Sequence, residues 1–158
     1  MVNCLTLLRI CAEMERENAD LYHWFSQLFH KNRRAALLWK KTALEEENHE
    51  SQFILAEKLA DGMLTVPLLE EETAREELEK LRLLRREFEA DPPSLARALE
   101  AAIILEENLA KFHLEKLLLY SNEDHRKMFL AMMDHDFDHA QALRSLYAEL
   151  IFPAGDAE

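Results

Sequence analysis

The chain has 158 residues, a net charge of −12 at pH 7, two glycines and four prolines. That length suits one ordinary domain with a substantial core, and the dominance of Leu, Ala, Glu, Lys and Arg, all good helix formers, predicts an all-α protein of a few long helices. The acidic balance argues against nucleic acid or an anionic membrane as partner, and part of the negative charge suits internal ligands to cations.

In chain order, Leu5 to Phe29 reads as the first helix, with Leu8, Cys11, Glu15, Ala19, Tyr22 and Phe29 near one face. Its two cysteines, Cys4 and Cys11, are separated by about 10.5 Å of helical rise, too far for a disulfide, and read as small buried hydrophobes. No Cys-x-x-Cys occurs, which excludes a cysteine-ligated iron site or zinc ribbon within the chain. Asn32 is the expected N-cap of a second helix, Arg33 to Leu59, which Asp61-Gly62 stops, with Gly62 in the left-handed region. Met63 to Leu69 is expected to be a loop containing Pro67.

Glu70 to Glu89 is very charged, with a narrow stripe of Leu78, Leu81, Leu84 and Phe88. It reads as a surface helix whose stripe packs either on a second chain or on its own bundle. Asp91-Pro92-Pro93-Ser94 is a firm break, with Ser94 as N-cap of a third main helix, Leu95 to Tyr120. Ser121-Asn122 turns the chain into a fourth, Glu123 to Leu150. One domain over 1–152 follows, with a connector at about 61–93 and a frayed tail at 153–158. Two antiparallel helix hairpins joined by a long crossover, with an extra surface helix, is the ferritin-like four-helix bundle arrangement. Without a signal-peptide pattern or a run of roughly 18 apolar residues, a cytoplasmic setting is expected.

Two segments repeat each other 90 residues apart. Glu46-x-x-His49 sits between Trp39 and Phe53; Asp136-x-x-His139 sits between Phe129 and Leu143. On a helix, positions i and i+3 share a face, so each segment points a carboxylate and an imidazole out of an apolar stripe. Burying such a charge is costly without compensation, and a bound cation supplies it. The first and third main helices are then expected to add one carboxylate each. By amphipathicity these are Glu15, which has Cys11, Ala12 and Ala19 around it, and Glu106, beside Ala102, Ile103, Leu109 and Ala110. A second register pairs Glu17 with Glu107, Asn18 with Asn108 and His23 with His113, and nominates Glu17 and Glu107 instead. Two other readings are a pair of polar surface patches and a single-metal or zinc site on His135 and His139. Asp20-x-x-His23 fits the spacing by accident. His23, His30, His113, His125 and His135 are expected to be surface or structural residues. Tyr22 has two readings: orienting a ligand carboxylate through its hydroxyl, or an aromatic of the core.

These segments resemble the ferritin-like di-iron carboxylate superfamily, most closely its rubrerythrin-like branch. Met14 to Tyr22 is similar to that branch's first-helix motif, a ligand Glu followed seven residues later by Tyr. Leu44 to His49 is similar to its Glu-x-x-His, and Ala102 to His113 to its third-helix motif. The resemblance spans Leu5 to Leu150 outside the connector. It implies that Glu46 and Asp136 bridge two iron ions (manganese being possible), with Glu15 and His49 on one and Glu106 and His139 on the other. It implies an oxidoreductase reducing peroxide or dioxygen, with electrons from an external donor protein, and a homodimer. Three positions depart from the pattern: Asp136 replaces Glu, Leu109 stands where a further carboxylate is usual, and His113 stands in place of a second Tyr. An iron-binding, ferroxidase or storage module and a helical interaction protein with a vestigial metal site are the alternatives.

Overall fold

Helix-forming sequence broken at only a few places gives five helices among the described residues. The computed structural model of the chain describes residues 2–59, 65–66, 68–117 and 123–153. The elements are β1 (Val2–Asn3), α1 (Cys4–Leu28), α2 (Arg33–Leu59), β2 (Thr65–Val66), α3 (Leu68–Ala90), α4 (Leu95–Leu117) and α5 (Glu123–Ile151). The protein is all-α apart from the two-residue ladder of β1 and β2. No helix among the described residues is long and apolar enough to cross a membrane.

The helix starts follow from side-chain caps. The Ala35 N–H donates to Asn32 Oδ1 at 3.1 Å, and the Ala36 N–H to the Asn32 carbonyl at 2.9 Å. The Arg97 N–H donates to Ser94 Oγ at 3.2 Å, and the Ala98 N–H to the Ser94 carbonyl at 2.9 Å. Each cap satisfies donors that the first helical turn leaves without a partner.

Two units follow, Met1–Pro92 and Pro93–Glu158, meeting at the proline pair. In the first, α1 and α2 form an antiparallel hairpin: Arg9 pairs with Glu57, Arg16 with Glu50 and His23 with Glu47, one number rising as the other falls. Helix α3 runs parallel to α1. Its Arg82 reaches Glu13 and Glu17, its Arg85 reaches Glu17 and Asp20, and Phe88 packs 5.9 Å from Phe25. The β1–β2 ladder, Val2 opposite Val66 and Asn3 opposite Thr65, brings the start of α3 back beside the start of α1. In the second unit α4 and α5 are likewise antiparallel, Tyr147 donating to Glu100 and Arg144 pairing with Glu107.

One expectation changes, and one choice left open by the sequence is decided. The loop predicted over Met63 to Leu69 contains the β2 residues, and α3 starts at Leu68, because pairing with β1 gives this stretch backbone partners. The stripe of α3 is not an open interface: Ala74, Leu78, Leu81 and Phe88 are buried and Leu84 half-buried within the unit. Gly62, Pro67, the end of the third main helix beyond Leu117 and the Ser121-Asn122 turn lie outside the described residues.

Candidate metal centre

Glycine-free helices hold their side chains at fixed angular intervals, so the acidic and imidazole residues of each hairpin are aimed by register alone. In the first hairpin, Glu15 lies on the α1 face that also carries Leu8, Cys11, Ala19 and Tyr22, all buried. Helix α2 contributes Glu46 and His49. The carboxyl groups of Glu15 and Glu46 are fully enclosed, and His49 nearly so. His49 Nδ1 stands 3.4 Å from Glu46 Oε2 and 3.8 Å from Glu15 Oε2. Possible ligand atoms of all three lie within 4.8 Å of one another. Burial pulls the His49 pKa down, but hydrogen bonding to Glu15 and Glu46 and their charges outweigh it, and the imidazole is pushed up to about 10.

The second hairpin repeats the theme. Glu106 on α4 and Asp136 on α5 are fully buried, and His139 is 6% exposed. His139 Nδ1 lies 3.3 Å from Glu106 Oε2, and possible ligand atoms of Glu106, Asp136 and His139 fall within 4.8 Å of one another. Asp136 also receives a hydrogen bond from His113 Nδ1 to its Oδ2 at 2.6 Å. His113 is buried between Phe112 and Phe129, with ring centroids 5.8 and 6.0 Å away. The sequence assigned His113 only a surface or structural role. Its signal was present: it lies seven residues after Glu106, on the same helical face, next to the buried Phe112.

The residues of the other readings lie elsewhere. Glu17 accepts from Arg82 at 3.2 Å and Arg85 at 2.9 Å, and Glu107 pairs with Arg144. Asn18 is fully buried beside Glu15 while Asn108 is exposed, so the register that equates them breaks down in three dimensions. The repeat of α1 in α4 therefore runs at Glu15 and Glu106, 91 apart. His135, the other half of the two-histidine reading, is exposed, as are Asp20 and its Arg85 contact. His125, in the first turn of α5, is buried; burial lowers its pKa against a smaller opposing effect of Asp124.

Apolar walls close both clusters. Trp39, Phe53, Phe129 and Leu143 are fully buried. Tyr22 is also fully buried, its ring 5.2 Å from Trp39 and 6.4 Å from Phe25. Among the described residues the donor set of each cluster is carboxylate oxygen and imidazole nitrogen with no thiolate, a combination that suits iron, manganese or zinc. Comparison of the chain with protein-family models, with curated proteins and with solved structures gives no match in any of the three.

Proposed function

We propose that the protein is a di-iron carboxylate protein of the ferritin-like, rubrerythrin-like kind: an oxidoreductase that reduces peroxide or dioxygen with electrons from a separate donor protein. In this reading the fold is of the ferritin-like four-helix-bundle kind and the chain holds a pair of metal ions. Glu15 and His49 would hold one ion and Glu106 and His139 the other, with Glu46 and Asp136 completing the ligand set. One observation carries the proposal: each hairpin buries two carboxyl groups and one imidazole with possible ligand atoms within 4.8 Å.

The residues fit the metals they are asked to hold. Four carboxylates balance the charge of two divalent cations, and two imidazoles complete a nitrogen–oxygen donor set that favours iron or manganese over softer ions. Buried carboxyl groups stripped of water otherwise cost several kcal/mol each. When bound, a pair of iron ions supplies the positive charge and the electrons that cleavage of an O–O bond needs. The protein's own part is to orient and to exclude. Trp39, Phe53, Phe129 and Leu143 keep bulk water from the carboxylates, and Tyr22 lies buried on the same face of α1 as Glu15. Each peroxide takes an electron pair and a pair of protons and leaves as water, the donor protein being oxidised in turn. A homodimer belongs to the same proposal and needs a face other than the stripe of α3.

Protein purified without oxygen tests this reading. It is expected to retain or take up about two Fe(II) per chain, and the reduced form to consume peroxide on mixing. Failure to bind iron or manganese would contradict it. Uptake of many irons per chain, with slow peroxide loss, would point instead to iron storage.

A further inference from the structure

We propose that the outer face of α2 around Leu37 is the docking surface for a protein with an acidic face, and that this protein is the electron donor. The donor role rests on the function proposed above; the docking itself does not.

The face begins with a gap among the acids. The chain has 31 Asp and Glu residues, yet none falls from Leu21 to Leu44, where Lys31, Arg33, Arg34, Lys40 and Lys41 do. Four of these cations form a ring on α2. Leu37 has Arg33, Arg34, Lys40 and Lys41 at i−4, i−3, i+3 and i+4, the positions that neighbour it on a helix surface. All four are exposed, and Leu37 itself is 59% exposed. Every other exposed large apolar side chain among the described residues has basic residues at two of those positions at most. Lys41 also pairs with Glu45 at 3.6 Å, a solvated contact that a partner's carboxylate can replace. An apolar centre inside a charged rim is the anatomy of a protein interface, and the sign of this rim calls for carboxylates opposite it. The ring spans about 12 Å of helix, the scale of a small, transient contact. A second copy of the chain does not fit, because in a two-fold contact the face would meet itself, cation against cation. A membrane does not fit either, because Leu37 and Leu44 offer little apolar area to bury.

The core side of the same helix points to an electron donor. Trp39 turns away from Leu37 and is fully buried, its ring 5.2 Å from Tyr22 and 4.9 Å from Phe25. Trp39 stands two turns before Glu46, and Tyr22 two turns after Glu15. Leu37 and Glu46 are separated by about 13.5 Å of helical rise, and Trp39 lies within that interval. A carrier seated on the ring is thus held at one end of an aromatic cluster whose other end adjoins the buried carboxyl groups. Each encounter oxidises the carrier by one electron, and two encounters supply the pair that one peroxide takes.

Association kinetics of the metal-free full chain at low ionic strength test the docking, with a plant-type ferredoxin and a flavodoxin as acidic one-electron probes. At least one is expected to bind, and more weakly as salt rises. The double variants Arg33→Glu with Arg34→Glu and Lys40→Glu with Lys41→Glu are each expected to slow association by about 10-fold or more. Leu37→Ser is expected to weaken binding by about 10-fold and leave its salt dependence unchanged. Arg126→Glu with Lys127→Glu, on α5, changes the net charge equally and is expected to slow association far less. Equal slowing by that α5 pair would overturn the proposal. So would the absence of binding by both carriers, or capture of anionic phospholipid vesicles through Leu37 in their place. Fe(II) titration is expected to be unaltered in the α2 variants. A wild type that takes up no iron would remove the donor role, while carrier binding to the metal-free chain still decides the docking.

Discussion

At the scale of single residues, the chemistry is set by which acids lack a basic neighbour on the surface. Glu17 and Glu107 answer to arginines, whereas Glu15 and Glu106 sit with histidines in apolar surroundings. Glu15→Gln and Glu106→Gln are therefore expected to weaken metal binding, read by titration. Glu17→Gln should leave binding intact and cost at most about 1 kcal/mol of stability, since its ion pairs are partly solvated. His49 makes the metal-free protein sensitive to alkali. Its pKa is raised from 6.5 to about 10, so its stabilising charge is fully present below pH 6.5 and lost as pH rises through 10. The melting temperature of metal-free protein should fall across that interval, and His49→Gln should flatten the profile; an unchanged slope in the variant would refute the assignment. The same proton competes with metal, so binding should tighten as pH rises and release a proton, detectable by calorimetry in buffers of different ionisation enthalpy. Much of this was legible in the sequence because i, i+3 spacing on a helix leaves little freedom. The place of His113 on the Glu106 face was legible too, but its pairing with Asp136 was not, because a partner on another helix leaves no trace in local spacing.

At the scale of elements, boundaries were readable where a side chain caps the helix. Asn32 and Ser94 occupy the places their residue types favour, and Asn32→Ala or Ser94→Ala should each cost about 1 kcal/mol in chemical denaturation. The end of the connector's loop was not readable: Leu68 and Leu69 join α3, because tertiary pairing of Thr65–Val66 with Val2–Asn3 overrides a Pro-containing loop signal. The α3 stripe admitted two partners at the level of periodicity, and its packing against α1 decides between them. Phe88, buried against Phe25, closes that contact. Phe88→Ala is expected to cost about 3–5 kcal/mol. Loss of that size with retained α1–α2 ion pairs would appear as early proteolysis within α3.

At the scale of the whole molecule, the duplicated pattern is the strongest element of the account. Two hairpins, each closing on its own carboxylates and imidazole, were visible as a 90-residue repeat because both obey one helical register. What the sequence could not carry is the pairing of His113 with Asp136, which depends on side chains from α4 and α5 meeting. If the clusters bind metal, it should raise the melting temperature in proportion to the logarithm of its free concentration, and loss of either histidine should blunt the effect. The most direct measurement is anaerobic Fe(II) titration of the wild type beside His49→Ala and His139→Ala. About two Fe(II) per chain are expected for the wild type, with at least one lost in each variant. Undiminished binding in both variants would contradict the account.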